Sequence, residues 1–227
     1  MLQLPLNIQM NAGSRLENFY VGNNNQLLDS LQHINQSNKD FIYIWGSASV
    51  GKTHLAQAIC QHYSDKNLSA AYIPLNNKGL SVEVLDGLEL FDLVCLDSLE
   101  SIKNSEQWQT AIFNLFNNLK NNQSKLILLS RFSAKNIPLE LADLKSRLNS
   151  MEVYKLDALD DQQLLSFIIL NAEERGLDIP IEVARFILLR ESREIEYLLK
   201  MISILDVQSI AQQRKITIPF VKKVLAI

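Results

Sequence analysis

The sequence predicts an α/β protein, a parallel five-stranded sheet covered by helices, followed by a small all-α domain. Two observations lead there. Short apolar runs rich in β-branched and aromatic residues alternate with stretches of helical periodicity as far as about Asp160, and beyond it only helical stripes recur. The candidate strands are also apolar throughout rather than alternating, as expected of a sheet buried on both faces.

Each element can be justified in turn. The first ten residues mix apolar and polar types around Pro5 and fit no stable helix, so 1–10 is expected to be a flexible segment. Leu27, Leu28 and Leu31 begin a helix, and Phe41–Trp45 is the first strand. Leu55, Ala56, Ile59 and Tyr63 follow at helical spacing, and Ala70–Pro74 is a second strand ended by its proline. Phe91–Asp97 is a third strand, apolar up to its closing aspartate apart from Asp92. Trp108, Ala111, Ile112, Leu115, Phe116 and Leu119 mark an amphipathic helix. Leu126–Leu129 is a fourth strand and Met151–Tyr154 a shorter fifth. Three helical stripes come next: Leu164, Leu165, Ile168 and Ile169; Val183, Phe186 and Ile187; then Ile195, Leu198, Leu199 and Ile202. Thr217 caps a last short helix with Pro219 in its first turn, and Lys215-Ile216 is the one candidate for a further strand. The expected division is a nucleotide-binding domain over 11–157 and a helical lid over 158–227.

Composition narrows the function classes. Hydrophobic residues make up 47% and charged ones 21%, enough for a proper core. No apolar run approaches the ~18 residues of a membrane span, and no secretion signal opens the chain, so a cytoplasmic protein is expected. Cys60 and Cys95, the only cysteines, lie in apolar contexts and read as buried free thiols. Metal-ligand clusters are absent. The net charge is −3 and the basic residues are scattered, which argues against unaided binding to duplex DNA.

One segment outweighs the rest. Gly46-Ser47-Ala48-Ser49-Val50-Gly51-Lys52-Thr53 matches the phosphate-binding pattern G-x-x-x-x-G-K-[ST] at every fixed position. It lies between a strand and a helix, the geometry that turns backbone N–H groups toward phosphate oxygens. The nucleotide-contacting set is then Ser47, Ala48, Ser49, Val50, Gly51, Lys52, Thr53 and the adjoining His54. Lys52 reaches the β- and γ-phosphates, and the Thr53 hydroxyl binds Mg²⁺. Asp97, ending an apolar strand, stands where a Walker-B carboxylate holds the same ion; the plainer reading is an aspartate capping a turn.

Two arginines stand out. Arg147, in Asp143-Leu144-Lys145-Ser146-Arg147-Leu148, can project from a short helix as an arginine finger into a neighbouring subunit's nucleotide site. The plainer reading pairs it with Asp143 or another carboxylate. Arg193 opens a lid helix, from which it can reach the phosphates of its own nucleotide; the alternative is an exposed charge beside Glu194. Lys200 reads as part of a solvated face.

These segments together resemble the AAA+ module of the DnaA-type family, and most closely its short Hda-type members. The likeness runs over nearly the whole chain, and an α/β core with a helical lid is the AAA+ architecture. Leu16–Leu27 looks like the family's N-terminal segment, whose apolar residues cover the adenine; this implies nucleotide contacts from Phe19, Tyr20 and Val21. Asp143–Leu148 looks like its arginine-finger box, and Gln212–Lys222 is similar to the Hda-type ending. DnaA itself continues into a helix-turn-helix domain with no counterpart in this sequence, in keeping with the charge argument.

The resemblance implies a regulator of replication initiation. It would bind ADP or ATP with Mg²⁺, sit on the DNA-loaded β sliding clamp of DNA polymerase III, and use Arg147 in trans to trigger hydrolysis of DnaA-bound ATP. The clamp contact would be Leu2, Gln3, Leu4, Pro5 and Leu6, similar to the family's docking motif, although Met1 stands where that motif has a glutamine. DNA would be reached only through the clamp. The oligomeric state stays open, a homo-oligomer included, as does the choice between ADP and ATP.

Two departures bear on hydrolysis. Ser98 occupies the place of a second acidic residue after Asp97, and Glu100, two residues further, is expected out of reach. After the fourth strand comes Ser130-Arg131, with arginine where the family carries an aspartate. Strong hydrolysis by the chain's own site is therefore not expected, which disfavours the alternative of an autonomous ATPase of the clamp- or helicase-loader type. A small-molecule kinase ranks last, because it needs an acceptor pocket in place of the lid.

Overall fold

The structure, a computed structural model, describes residues 16, 19–34 and 40–226. The described residues form two compact units, one running to residue 157 and the other from 158 onward together with 49–51.

The first unit is built on five parallel strands: β1 (Phe41–Trp45), β2 (Ala70–Pro74), β3 (Leu93–Asp97), β4 (Lys125–Ser130) and β5 (Glu152–Lys155). Their order across the sheet is β2-β3-β4-β1-β5, so β1 has β4 on one side and β5 on the other. Pairing of Trp45 with Ser130 in register brings the C-terminal ends of β1 and β4 level. Every residue of β3 is buried, whereas β5, at the sheet edge, is partly exposed, with Val153 43% accessible. That edge position explains why the fifth strand has the weakest apolar signal in the sequence.

The expected β3 loses its first two residues. Asp92 is instead stapled to Ser69: its carboxylate accepts from the Ser69 backbone N–H and hydroxyl, both at 2.7 Å, and its own N–H donates to Ser69 Oγ at 2.9 Å. A carboxylate with local donors favours such a loop over a strand ladder.

Helices α1 (Asn25–Gln32), α2 (Lys52–Asp65), α3 (Glu106–Asn121) and α4 (Ala142–Ser150) complete this unit. α2 buries Leu55, Ala56, Ile59 and Tyr63, the predicted stripe. α3 starts at Ser105, whose hydroxyl accepts from the Trp108 N–H, and buries Ile112, Leu115, Phe116 and Leu119. Each such Leu, Ile or Phe contributes roughly 1.5–3 kcal/mol on burial. Cys60 and Cys95 are buried free thiols, as expected.

The second unit holds α5 (Asp161–Glu173), α6 (Ile181–Arg190), α7 (Ile195–Gln212) and α8 (Ile218–Leu225). Asp160 and Gln163 form a reciprocal capping box that opens α5. Thr217 caps α8 with Pro219 in the first turn. Lys215-Ile216 is a loop, not a strand: Ile216 is buried at 3%, but this unit has no strand among its described residues for it to pair with. No helix among the described residues is long and apolar enough to cross a membrane.

Candidate functional site

The loop 46–51 leaves the C-terminal end of β1 and turns directly into α2. Gly51 has φ +96°, a conformation for which only glycine is unstrained, and this lets the chain enter the helix at Lys52. The Gly46 N–H donates to the Ser130 carbonyl at 3.2 Å, so the loop starts pinned to β4. Lys52 is only 9% exposed; its Nζ donates to the carbonyls of Gly46 at 2.8 Å and Ser47 at 2.6 Å. Burial lowers its pKa, while Asp97 and Glu100 favour the charged form and Arg131 opposes it. The ammonium is thus held over the loop with two carboxylates close by.

Asp97 ends β3 beside this lysine and is 3% exposed. Its Oδ2 accepts from Thr53 Oγ1 at 2.6 Å and from the Tyr72 hydroxyl at 3.0 Å. Burial, followed by the Asp97 charge, raises the Tyr72 pKa far above its usual value, so Tyr72 stays a donor. The turn-capping alternative does not describe this carboxylate, whose partners are side chains of α2 and β2. Two hard oxygen ligands, a hydroxyl and a carboxylate, suit Mg²⁺. No group of three or more acidic, His or Cys side chains able to hold a metal occurs among the described residues. Thr53 and Asp97 would hold the Mg²⁺ ion, and when bound it would neutralise charge on the phosphate oxygens.

Ser98 adopts a left-handed conformation, φ 62° and ψ 45°, and a 3₁₀ turn over Leu99–Ile102 follows. This tight return folds Glu100 back against the end of β4. Glu100 Oε2 accepts from Ser130 Oγ at 2.9 Å and from the Arg131 N–H at 3.1 Å, and Oε1 lies 3.4 Å from Arg131 Nε. Tyr43, beneath on β1, donates its hydroxyl to the Phe132 carbonyl at 2.8 Å, and burial pushes its pKa up to about 12. Sequence spacing alone counts residues along the chain and misses a turn that doubles back.

In the first turn of α2, the His54 ring stacks with Phe19, with centroids 6.0 Å apart and an interplanar angle of 25°. Burial lowers the His54 pKa. Phe19, Tyr20 and Val21 are half-buried and lead into α1 through Asn24. Asn24, buried at 6%, donates to the carbonyls of Val21 at 3.0 Å and Asp157 at 3.3 Å and accepts from the Asp157 N–H at 2.8 Å. It ties the N-terminal segment to the residues after β5. Sequence reasoning missed it, since a polar residue among three neighbouring asparagines gives no signal of burial.

Arg147 lies on α4, away from the loop 46–53 in sequence. Its guanidinium carbon stands 5.9 Å from the Phe113 ring centroid and 5.8 Å from that of Phe116, both on α3. Among the described residues no carboxylate lies within ion-pair distance of it, Asp143 included. The approach to α4 is fixed by Gln109, 1% exposed, which accepts from the N–H groups of Glu140 at 2.8 Å and Leu141 at 2.9 Å. The same side chain donates to the carbonyls of Ile102 at 3.4 Å and Lys103 at 3.1 Å. Gln109 sits on the apolar face of α3, where the periodicity called only for hydrophobic residues.

In the second unit, Arg193 precedes α7 by two residues instead of opening it, and its carboxylate partner is Asp161 rather than Glu194. The pair is two-pronged, Nη1–Oδ1 at 2.9 Å and Nη2–Oδ2 at 3.2 Å, and exposed. Leu2, Gln3, Leu4, Pro5 and Leu6 lie outside the described residues.

A five-stranded parallel sheet of this order, with a glycine-lysine-threonine loop after β1, an aspartate closing β3 and a helical unit following in sequence, defines the AAA+ class. Comparison with known proteins specifies it further. The bacterial DnaA ATPase domain matches residues 10–155 and the Hda lid domain residues 160–225. The chain belongs to the DnaA family of AAA+ proteins, the replication-initiation group, and is of the Hda type. A protein of Haemophilus influenzae described only as uncharacterized is 41% identical over 226 residues, covering 98% of each chain. Domain III of the Thermotoga maritima replication initiation protein DnaA superposes with a TM-score of 0.76 at 23% identity, over 96% of this chain and 98% of that one. The AMPPCP-bound DnaA of Aquifex aeolicus gives a TM-score of 0.75 at 23% identity, over 89% and 68%. At these identities the two structures speak for the fold.

Proposed function

We propose that the protein regulates replication initiation by acting on DnaA. It binds ADP or ATP with Mg²⁺ through Ser47–Thr53, with His54 and Phe19–Val21 around the base and Arg193 as a phosphate contact from the lid. Lys52, Thr53 and Asp97, gathered at one end of the sheet, support the nucleotide part, as does the nucleotide analogue on the Aquifex aeolicus relative. Leu2, Gln3, Leu4, Pro5 and Leu6 dock on the β sliding clamp, which brings the protein to DNA.

The observation that carries the reading is Arg147. An arginine with no carboxylate partner among the described residues, resting on two aromatic rings, has a guanidinium suited to an anion on another molecule. Supplied in trans to DnaA, it would stabilise charge on the γ-phosphate of the ATP bound there, leaving ADP-bound DnaA. The chemistry would then take place in the partner. The test is a time course of conversion of DnaA-bound ATP to ADP on DNA loaded with sliding clamp. The chain is expected to accelerate it, and no acceleration at saturating protein would end this reading.

A further inference from the structure

The second unit carries a basic surface that the function above leaves unused. Residues 207–227 contain Arg214, Lys215, Lys222 and Lys223 and no aspartate or glutamate. Arg214 and Lys215 precede α8, and Lys222 and Lys223 lie in its last turn, so positive charge runs along about 10 Å of this short helix. Folding adds a further cation from α6. The Phe186 ring of that helix has the Arg190 guanidinium carbon 5.8 Å from its centroid and Lys222 Nζ, from α8, at 5.5 Å.

Arg190, Lys222 and Lys223 are exposed, and Phe186 between them is half-buried. Among the described residues no carboxylate lies within ion-pair distance of any of the three. Glu191, the acid next to Arg190, accepts instead from the Tyr197 hydroxyl. The last turns of α6 and α8 favour cations, which accounts for each of them separately. It does not account for two of them meeting on one ring, where like charges repel. A counter-charge from outside would hold them there. An anionic membrane would ask for a free apolar face on α8, but Phe220 and Val221 are buried within the unit. What remains is a surface that meets its partner by charge, as a nucleic-acid backbone is met.

We infer that the face formed by Phe186, Arg190, Lys222 and Lys223 binds the phosphate backbone of duplex DNA, without regard to sequence. The chain as a whole has a net charge of −3, and the face offers few cations, so the free protein binds weakly, with Kd on the order of 10⁻⁴ M at physiological salt. The proposal rests on the clamp reading for its setting. A chain held on a DNA-loaded clamp meets the duplex at roughly millimolar effective concentration, where so weak a contact is occupied. The clamp then recruits the protein, and this face fixes how its second unit lies on the DNA.

The test is fluorescence anisotropy of a labelled duplex titrated with the whole chain, without clamp, over about 50–200 mM salt. The natural chain is expected to bind with a log–log salt slope of roughly −3. Arg190→Gln combined with Lys222→Gln should flatten that slope by about 2 and weaken binding about tenfold at the low-salt end. Lys223→Gln alone, which disturbs no ring contact, should flatten it by about 1. A charge-matched pair of exposed lysines on the first unit, Lys66→Gln with Lys78→Gln, should leave the slope unchanged. Absence of salt-dependent binding by the natural chain would overturn the DNA surface, as would equal losses in the two charge-matched pairs. Binding to phosphatidylserine vesicles in preference to the duplex would overturn it too. Retention on immobilised clamp is measured separately; its failure would refute the clamp reading, and the duplex titration would still decide the surface.

Discussion

Thr53 Oγ1 donates a 2.6 Å hydrogen bond to Asp97 Oδ2, joining the first turn of α2 to the end of β3 across 44 residues of chain. The two oxygens are thereby set side by side, where one divalent cation could accept both. Asp97→Asn is therefore expected to lower ADP affinity about tenfold or more with Mg²⁺ and little in its absence, read by calorimetry in magnesium and in EDTA. Equal losses in both buffers would remove the metal role. Lys52→Ala serves as the reference that loses binding under both conditions.

Arg147→Ala is expected to fold, to bind nucleotide as the natural chain does, and to fail in stimulating DnaA-bound ATP hydrolysis. A finger in trans is typically worth ~10³–10⁵ in rate, so the defect should be nearly complete. Arg147→Lys should not restore it, because a point charge lacks the fork. Stimulation retained by Arg147→Ala in the same time course would dismiss the trans mechanism.

Leu4→Ala combined with Leu6→Ala is expected to abolish retention on immobilised sliding clamp while leaving ADP affinity unchanged. Two leucines seated in an apolar pocket contribute roughly 1.5–3 kcal/mol each, most of what a short linear segment can supply. Clamp retention equal to that of the natural chain would place docking elsewhere.

Gln109→Leu is expected to destabilise the fold by about 2–4 kcal/mol, measured by urea denaturation, despite adding an apolar side chain to a buried site. The loss comes from leaving the N–H groups of Glu140 and Leu141 and the carbonyls of Ile102 and Lys103 without their partner. A neutral or stabilising outcome would mean those backbone groups find other partners.

His54 sets a pH dependence. Burial lowers its pKa in the folded chain below the usual 6.5, so the unfolded chain binds the proton more readily. The stabilising contribution of the neutral ring is complete above the unfolded pKa and is lost as pH falls from there through the folded value. Melting temperature should therefore fall more between pH 7.5 and 5.5 in the natural chain than in His54→Gln. Parallel profiles would show that the ring titrates alike in both states.

Much of this was legible from the residues. The phosphate loop is a fixed pattern between a strand and a helix, and both flanks carry their own period, so Lys52, Thr53 and Asp97 could be named before any coordinates. Continuous apolar runs such as Leu93–Leu96 announce a sheet covered on both faces. The cap at Thr217 is local chemistry, complete within four residues.

What the tertiary structure decided depends on side chains that meet far from their neighbours in sequence. Glu100 joins Ser130 and Arg131 because Ser98 turns left-handed, a backbone choice that no residue type there announces. Gln109 and Asn24 are buried because backbone groups from distant segments need partners out of water. Arg147 could have paired with Asp143 one turn away, yet it rests on Phe113 and Phe116 of another helix. Periodicity and motif spacing record what is repeated along the chain. A buried polar contact is specified by two segments at once, so it becomes readable only when folding has brought both together.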